Sequence, residues 1–167
     1  MLEGLKETQA ALAERGVQMV VRHGRPNEVA LTYAEDASLL VTDRGYLRHQ
    51  KQWRAHVAEA APCRVVQVEG DVVVPVETVT DKAEYAARTI RPKIHEHLDR
   101  FLSLPETVPV EYPSTSLDVP GGLPLEDVSA VTDQLDLDRR VSPVSALYRG
   151  GRSEAERILS DFLSRHL

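Results

Sequence analysis

The sequence predicts an α/β fold: a three-layer domain with a mostly parallel sheet, followed by a long irregular linker and a terminal helix. Two observations carry this. Apolar, β-branched runs of about five residues alternate with amphipathic stretches of ten or more, the pattern of a sheet flanked by helices. Beyond Leu104 the periodicity stops, and six of the ten prolines fall between residues 104 and 143.

Residues 1–15 set Leu2, Leu5, Ala10 and Leu12 among polar residues and end at Gly16, a helix with a glycine stop. Residues 17–21 read as a strand ending at the turn His23-Gly24-Arg25-Pro26, and Pro26 opens a helix over about 27–37. Residues 38–42 form a second strand, 47–60 a helix stopped by Pro62, and 64–68 a third strand. A short fourth strand is expected at 72–74. Residues 81–102 read as a charged helix that Pro92 should kink or divide, because proline cannot donate to the preceding turn. Ser153 then reads as an N-cap, with Glu156 completing a capping box. Ala155, Ile158, Leu159, Phe162 and Leu163 form one apolar face that runs toward Leu167, with nothing evident to cover it.

A chain of 167 residues with 42% hydrophobic content can build one core. Its net charge of −6 suits DNA poorly, since phosphate contacts need clustered Lys and Arg. The single cysteine, Cys63, permits no internal disulfide and reads as a small buried thiol. No stretch reaches the roughly 18 apolar residues of a membrane span. The start lacks a secretory pattern, so the chain reads as cytoplasmic.

Several motifs are absent. There is no G-x-G-x-x-G fingerprint, no P-loop and no nucleophile elbow. His95 and His97 lie two apart on a helix, which aims them apart, so no metal site is expected. Adjacent pairs such as Glu35-Asp36 and Glu126-Asp127 suggest surfaces and helix ends. Functional residues in parallel sheets collect at the carboxyl ends of strands. Here those ends are His23-Gly24, Asp43-Arg44-Gly45 and Glu69-Gly70-Asp71. Arg44, Arg48 and Lys51, at i, i+4 and i+7, would share a basic face with His49 and Arg54 nearby. That face is either solvated or an anion contact at the strand end.

Three segments carry a resemblance. They are Val41-Thr42-Asp43-Arg44-Gly45-Tyr46-Leu47-Arg48 followed by Gln50, Gln52, Trp53 and Arg54; Val66-Gln67-Val68-Glu69-Gly70-Asp71-Val72-Val73-Val74-Pro75-Val76; and Asp81-Lys82-Ala83-Glu84-Tyr85-Ala86-Ala87-Arg88-Thr89-Ile90-Arg91-Pro92-Lys93-Ile94. In order and spacing they resemble the amino-terminal, Rossmann-like domain of class II cyclobutane-pyrimidine-dimer photolyases. Met1-Leu2-Glu3-Gly4-Leu5 is similar to the helix after that family's first strand. Pro143-Val144-Ser145 and Gly150-Gly151 are similar to the entry into its second domain.

The resemblance implies residues 1–103 as the α/β antenna domain lacking its first strand. Residues 104–143 are then an interdomain linker, and 144–167 the helix that starts an absent FAD-binding helical domain. The full enzyme would be a light-dependent DNA-repair lyase, in which reduced FAD donates an electron to a flipped-out pyrimidine dimer. This chain alone would be inactive, reaching damaged DNA only through the full enzyme and binding no FAD itself. An antenna chromophore, a deazaflavin or a folate, would sit near the strand ends. Asp43, Arg44, Gly45, Tyr46 and Asp71 are the candidate ligands; for Arg44 and Tyr46, packing at a domain interface is the favoured reading over ligation. Trp53, the only tryptophan, reads as a packed helix residue rather than an electron carrier. Where many relatives have His-Asn, this chain has Asp71-Val72, so the resemblance carries no polar contact over to this position. The competing readings are a stand-alone nucleotide-binding α/β module and a ligand-free interaction protein docking through residues 155–163.

Overall fold

A computed structural model describes residues 1–104, 106–142, 144–145 and 147–166. The expected linker end at Pro143, the first residue of the Pro143-Val144-Ser145 motif, and the chain end at Leu167 lie outside the described residues. The fold is α/β: helices together with a small parallel sheet. The chain divides into two compact units, Gly24–Thr107 and Met1–His23 with Val108–Leu167.

The unit of residues 24–107 holds the sheet. Pro26 occupies the first turn of α2 (Pro26–Ala34), where its missing N–H costs nothing. Strand β1 (Leu39–Asp43) pairs in parallel with β2 (Arg64–Val68), with Leu39 opposite Arg64 and Asp43 opposite Val68. Between them runs α3 (Arg48–Ala60), whose cap residue Leu47 donates its N–H to Gln50 Oε1 at 3.0 Å. Ala34 of α2, Val57 of α3 and Val74 are the buried apolar side chains of this unit among the described residues.

Residues 72–74, expected as a strand, form none. They lie between Gly70-Asp71 and Pro75, which opens the one-turn helix α4 (Val76–Val79). Their side chains join Val76, Val79, Ile90 and Ile94 around an apolar cavity, so packing onto α5 (Ala87–Phe101) takes the place of a ladder. The expected helix over 81–102 begins six residues late. Lys93 Nζ reaches back to Glu84 Oε1 at 2.5 Å. Nine residues of continuous helix would separate those backbones by about 13.5 Å, so the pair requires residues 81–86 to fold back. Helix α5 runs through Pro92 without dividing.

In the other unit, α1 (Leu2–Glu14) ends as expected at a glycine. Gly16, at φ 79°, donates to Ala13 O at 2.9 Å, and Val17 N donates to Leu12 O at 2.9 Å. This paired closure satisfies two helix-end carbonyls and needs the left-handed conformation that glycine adopts freely. Residues 17–21 are not a strand. Their backbone groups are met singly: Gln18 N–H by Ser114 Oγ, Met19 O by Gln9 Nε2 and Val21 O by Leu123 N–H. A β-branched run without a neighbouring strand has no ladder to join, and loop and side-chain partners replace it.

The expected linker contains a helix, α6 (Val128–Gln134), capped by Asp127 Oδ1 accepting from Ala130 N–H at 3.0 Å. Leu125 and Val131 are fully buried there. The terminal helix α7 (Arg152–His166) starts two residues earlier than expected, so Ser153 is not its N-cap. A carboxylate from α1 serves instead: Glu7 accepts from Ser153 N–H at 3.1 Å and from Ser153 Oγ–H at 2.6 Å. Glu156, expected in a capping box, pairs with Arg152 at 2.6 Å. The α7 face of Ile158, Leu159, Phe162 and Leu163 is about half exposed.

Candidate functional site

The carboxyl ends of β1 and β2 meet because the strands are parallel and in register. Arg44 N–H donates to Val68 O at 2.8 Å, extending the ladder one residue beyond the end of β1. Arg44 and Glu69 thereby leave the sheet side by side. Glu69, whose side chain is 10% exposed, gathers the turn. It accepts from Arg44 at 3.4 Å, from Val76 N–H at 2.8 Å and from the Tyr46 hydroxyl. The other end of the Arg44 guanidinium binds Glu77, and its Cζ lies 6.0 Å from the Tyr46 ring centroid. Hydrogen bonding from Arg44, then its positive charge, holds the Glu77 carboxyl below the usual carboxylate range. The bond to Glu77 in turn raises the Arg44 pKa.

Gly45 is buried, and its carbonyl accepts from Arg54 of α3. A Cβ on Gly45 would come within 2.5 Å of the Gln50 side chain that caps α3. A glycine here therefore lets the strand end pass close under the helix start. Arg44 precedes α3 and turns toward the acidic pair, so the expected basic helix face of Arg44, Arg48 and Lys51 does not form as such.

Two cavities flank this turn. The first, about 200 Å³, lies between α2, β1 and α3. Pro26, Ala30 and Val57 give it apolar walls, with Trp53 as its one aromatic wall, and Asn27, Asp43 and Gln50 supply polar groups. Trp53 is half-buried and meets His49 edge to face, centroids 4.8 Å apart at 65°. Asn27 Nδ2 lies 2.8 Å from His56 Nδ1, and Asn27 Oδ1 is buried without a hydrogen-bond partner. The second cavity, about 270 Å³, is lined by Arg44, Tyr46, Lys51, Arg54, Glu77 and Lys82 among others. Arg54 lines both.

The structure thus brings Arg44, Gly45 and Tyr46 into one hydrogen-bonded turn with Asp43 beside it. A Cβ on Gly70 would lie 3.6 Å from Asp43 Oδ1. Asp71 is not brought into either cavity; it lines a separate one with Val73, Phe101 and Leu102. Cys63 is half-buried rather than buried. Local sequence does not mark Asn27, Gln50 or Trp53 as site residues, and it marks Glu69 only as part of a strand end. The Glu69 signal was present: opposite charges directly follow two parallel strands. Among the described residues no group of three or more His, Cys, Asp or Glu could hold a metal. No helix among them is long and apolar enough to cross a membrane.

Fold and site together define an α/β protein with an aromatic-walled slot at the carboxyl end of a parallel strand. The chain matches the DNA photolyase family over residues 1–114, and it belongs to that family. It is 43% identical over 170 residues to the deoxyribodipyrimidine photo-lyase of Methanothermobacter thermautotrophicus, covering 100% of this chain and 36% of the relative. To the deoxyribodipyrimidine photo-lyase of Potorous tridactylus it is 31% identical over 172 residues, covering 100% of this chain and 31% of the relative. A third relative of that name, from Oryza sativa subsp. japonica, is 35% identical over 119 residues, covering 65% of this chain and 24% of the relative. The chain spans about a third of the length of the first two relatives.

Proposed function

We propose that this chain is the amino-terminal α/β part of a class II, light-dependent deoxyribodipyrimidine photolyase, and that its role is to hold an antenna chromophore and scaffold the enzyme. The observation that carries this is the slot between α2, β1 and α3. Trp53 offers a face for a planar heteroaromatic ring, and Asp43, Asn27 and Gln50 offer hydrogen-bonding groups for the ring's edges. The Asp43 carboxylate in the slot lining is an acceptor for donor groups on a ligand's edge. Deazaflavin and folate rings both bring such donors. In this reading Arg44, Gly45 and Tyr46 shape the turn rather than touch the ring, and Asp71 lies away from it.

Splitting of the dimer belongs to the full enzyme and its reduced FAD. The residues of this chain supply binding and orientation, and the chain alone shows no light-dependent repair. Repair by the purified polypeptide with reduced FAD would overturn that part. The direct test is an absorption spectrum of protein purified from cells that make deazaflavin, folate and FAD. Absorbance from the near-ultraviolet to the blue, without flavin and abolished by Trp53→Ala, is the expected result. A colourless protein that also fails to take up added deazaflavin or folate would remove the antenna role.

The half-exposed α7 face favours a second, compatible reading as a docking helix. Self-association lost in Leu159→Asp would support it, and a monomer indifferent to the change would count against it.

A further inference from the structure

We infer that the second cavity is an anion subsite, and that the ligand of the neighbouring slot carries a negatively charged tail, phosphate or carboxylate, which this subsite holds. The inference rests on the chromophore reading of the slot, and it starts from charge. Four cations, Arg44, Lys51, Arg54 and Lys82, line the cavity against two carboxylates, Glu77 and Asp81, in a chain whose net charge is −6. A local excess of positive charge in an acidic protein focuses the field on that spot.

The cations differ in how they are used. Arg44 is taken up by Glu69 and Glu77, and Arg54 by the carbonyl of Gly45. The ammonium groups of Lys51 and Lys82 make no hydrogen bond or ion pair among the described residues, although Asp81 is adjacent in sequence to Lys82. The Tyr46 and Thr80 hydroxyls in the same lining are already donated to Glu69 and Glu84, so the two lysines are left as the donors for an anion. Lys51 comes from α3 and Lys82 from the segment after α4, so the subsite exists only where the two approach. The fold-back pinned by Glu84 and Lys93 sets the course of that segment.

Position supplies the link to the slot. Arg54 is a common wall of both cavities, so the tail we place between the slot and the two lysines has a single side chain to pass. A neutral ring with a short neutral substituent would leave both ammonium groups unused. One with an anionic tail would engage them. Two such contacts, partly solvated, give roughly tenfold in affinity at low salt, and the gain shrinks as salt screens it.

The test uses the whole 167-residue chain and two matched pairs of probes: 5-deazariboflavin against its 5′-phosphate, and the uncharged dimethyl ester of folic acid against folic acid itself. Each is titrated at low and high salt. The expected result is about tenfold tighter binding of the tailed member, lost in Lys51→Gln/Lys82→Gln while the tailless member keeps its affinity. The pair that shows the preference tells whether phosphate or carboxylate is the natural anion. Equal affinity within both pairs overturns the subsite. If no ring binds at all, the chromophore reading fails, and the subsite is judged separately by pyrophosphate. Shifts of the Lys51 and Lys82 amide resonances that vanish in the double variant would uphold an anion site. Their absence in the unaltered chain would end it.

Discussion

The Lys93 ammonium lies 2.5 Å from the Glu84 carboxylate, whose side chain is 8% exposed, and the Thr80 hydroxyl bonds the same oxygen at 3.2 Å. Lys93 above all, with Thr89 and Thr80, lowers the Glu84 pKa to about 2 from an ordinary 4.5. A carboxyl depressed in the folded state contributes stability that is complete above pH 4.5 and lost as pH falls toward 2. The urea midpoint of the unaltered chain should therefore drop across that window. Glu84→Gln should lower the midpoint at pH 6 and flatten its fall below pH 4.5. Parallel pH profiles for the two proteins would show that the pair does not stabilise the fold.

Gly16 closes α1 at φ 79°, and a Cβ there would also come within 3.2 Å of Pro113. Gly16→Ala should cost about 1–2 kcal/mol, the penalty of a left-handed non-glycine residue. Chemical denaturation measures it, and an unchanged midpoint would contradict the closure described.

Leu125 is fully buried beside α6 in a stretch with little regular structure. Leu125→Ala should destabilise by about 2–5 kcal/mol, as large-to-small changes in packed sites do. A loss under 1 kcal/mol would mean that residues 108–134 do not fold around this side chain.

Glu7 caps α7 from another helix, and the Ser153 bonds hold its carboxyl below the ordinary value. Glu7→Gln should speed amide exchange in the first turn of α7 and leave α3 unchanged. Equal exchange in both proteins would assign the cap to something else.

Asp43 faces the slot and Asp71 a different cavity. Asp43→Asn should weaken chromophore binding roughly tenfold, the scale of one charged hydrogen bond, while Asp71→Asn leaves it unchanged. The reverse ranking in a fluorescence titration would move the site.

Much of this was legible before any coordinates. Strand β2 falls on the expected residues and β1 one residue later, because β-branched runs bounded by turn residues have few other solutions. The Gly16 stop and the start at Pro26 follow from backbone chemistry alone. Ser153 was misread for the opposite reason. Its motif fits a local capping box, yet a carboxylate from α1 arrived first. Residues 17–21 have strand composition, but whether a strand forms depends on a neighbour that local sequence does not specify.

The amino-acid sequence by itself determined the α/β class, the two parallel strands, the helices α1, α2, α3 and α7 and the turn at Asp43-Arg44-Gly45, since these follow from local preference and periodicity. Only tertiary structure decided which charges meet. Glu69 joins Arg44 through strand register, Glu84 joins Lys93 through a reversal of the chain, and Asp71 lines a different cavity from Asp43. Such pairings depend on distances of a few ångströms between residues far apart in sequence, and local conformational preferences carry no information about those distances.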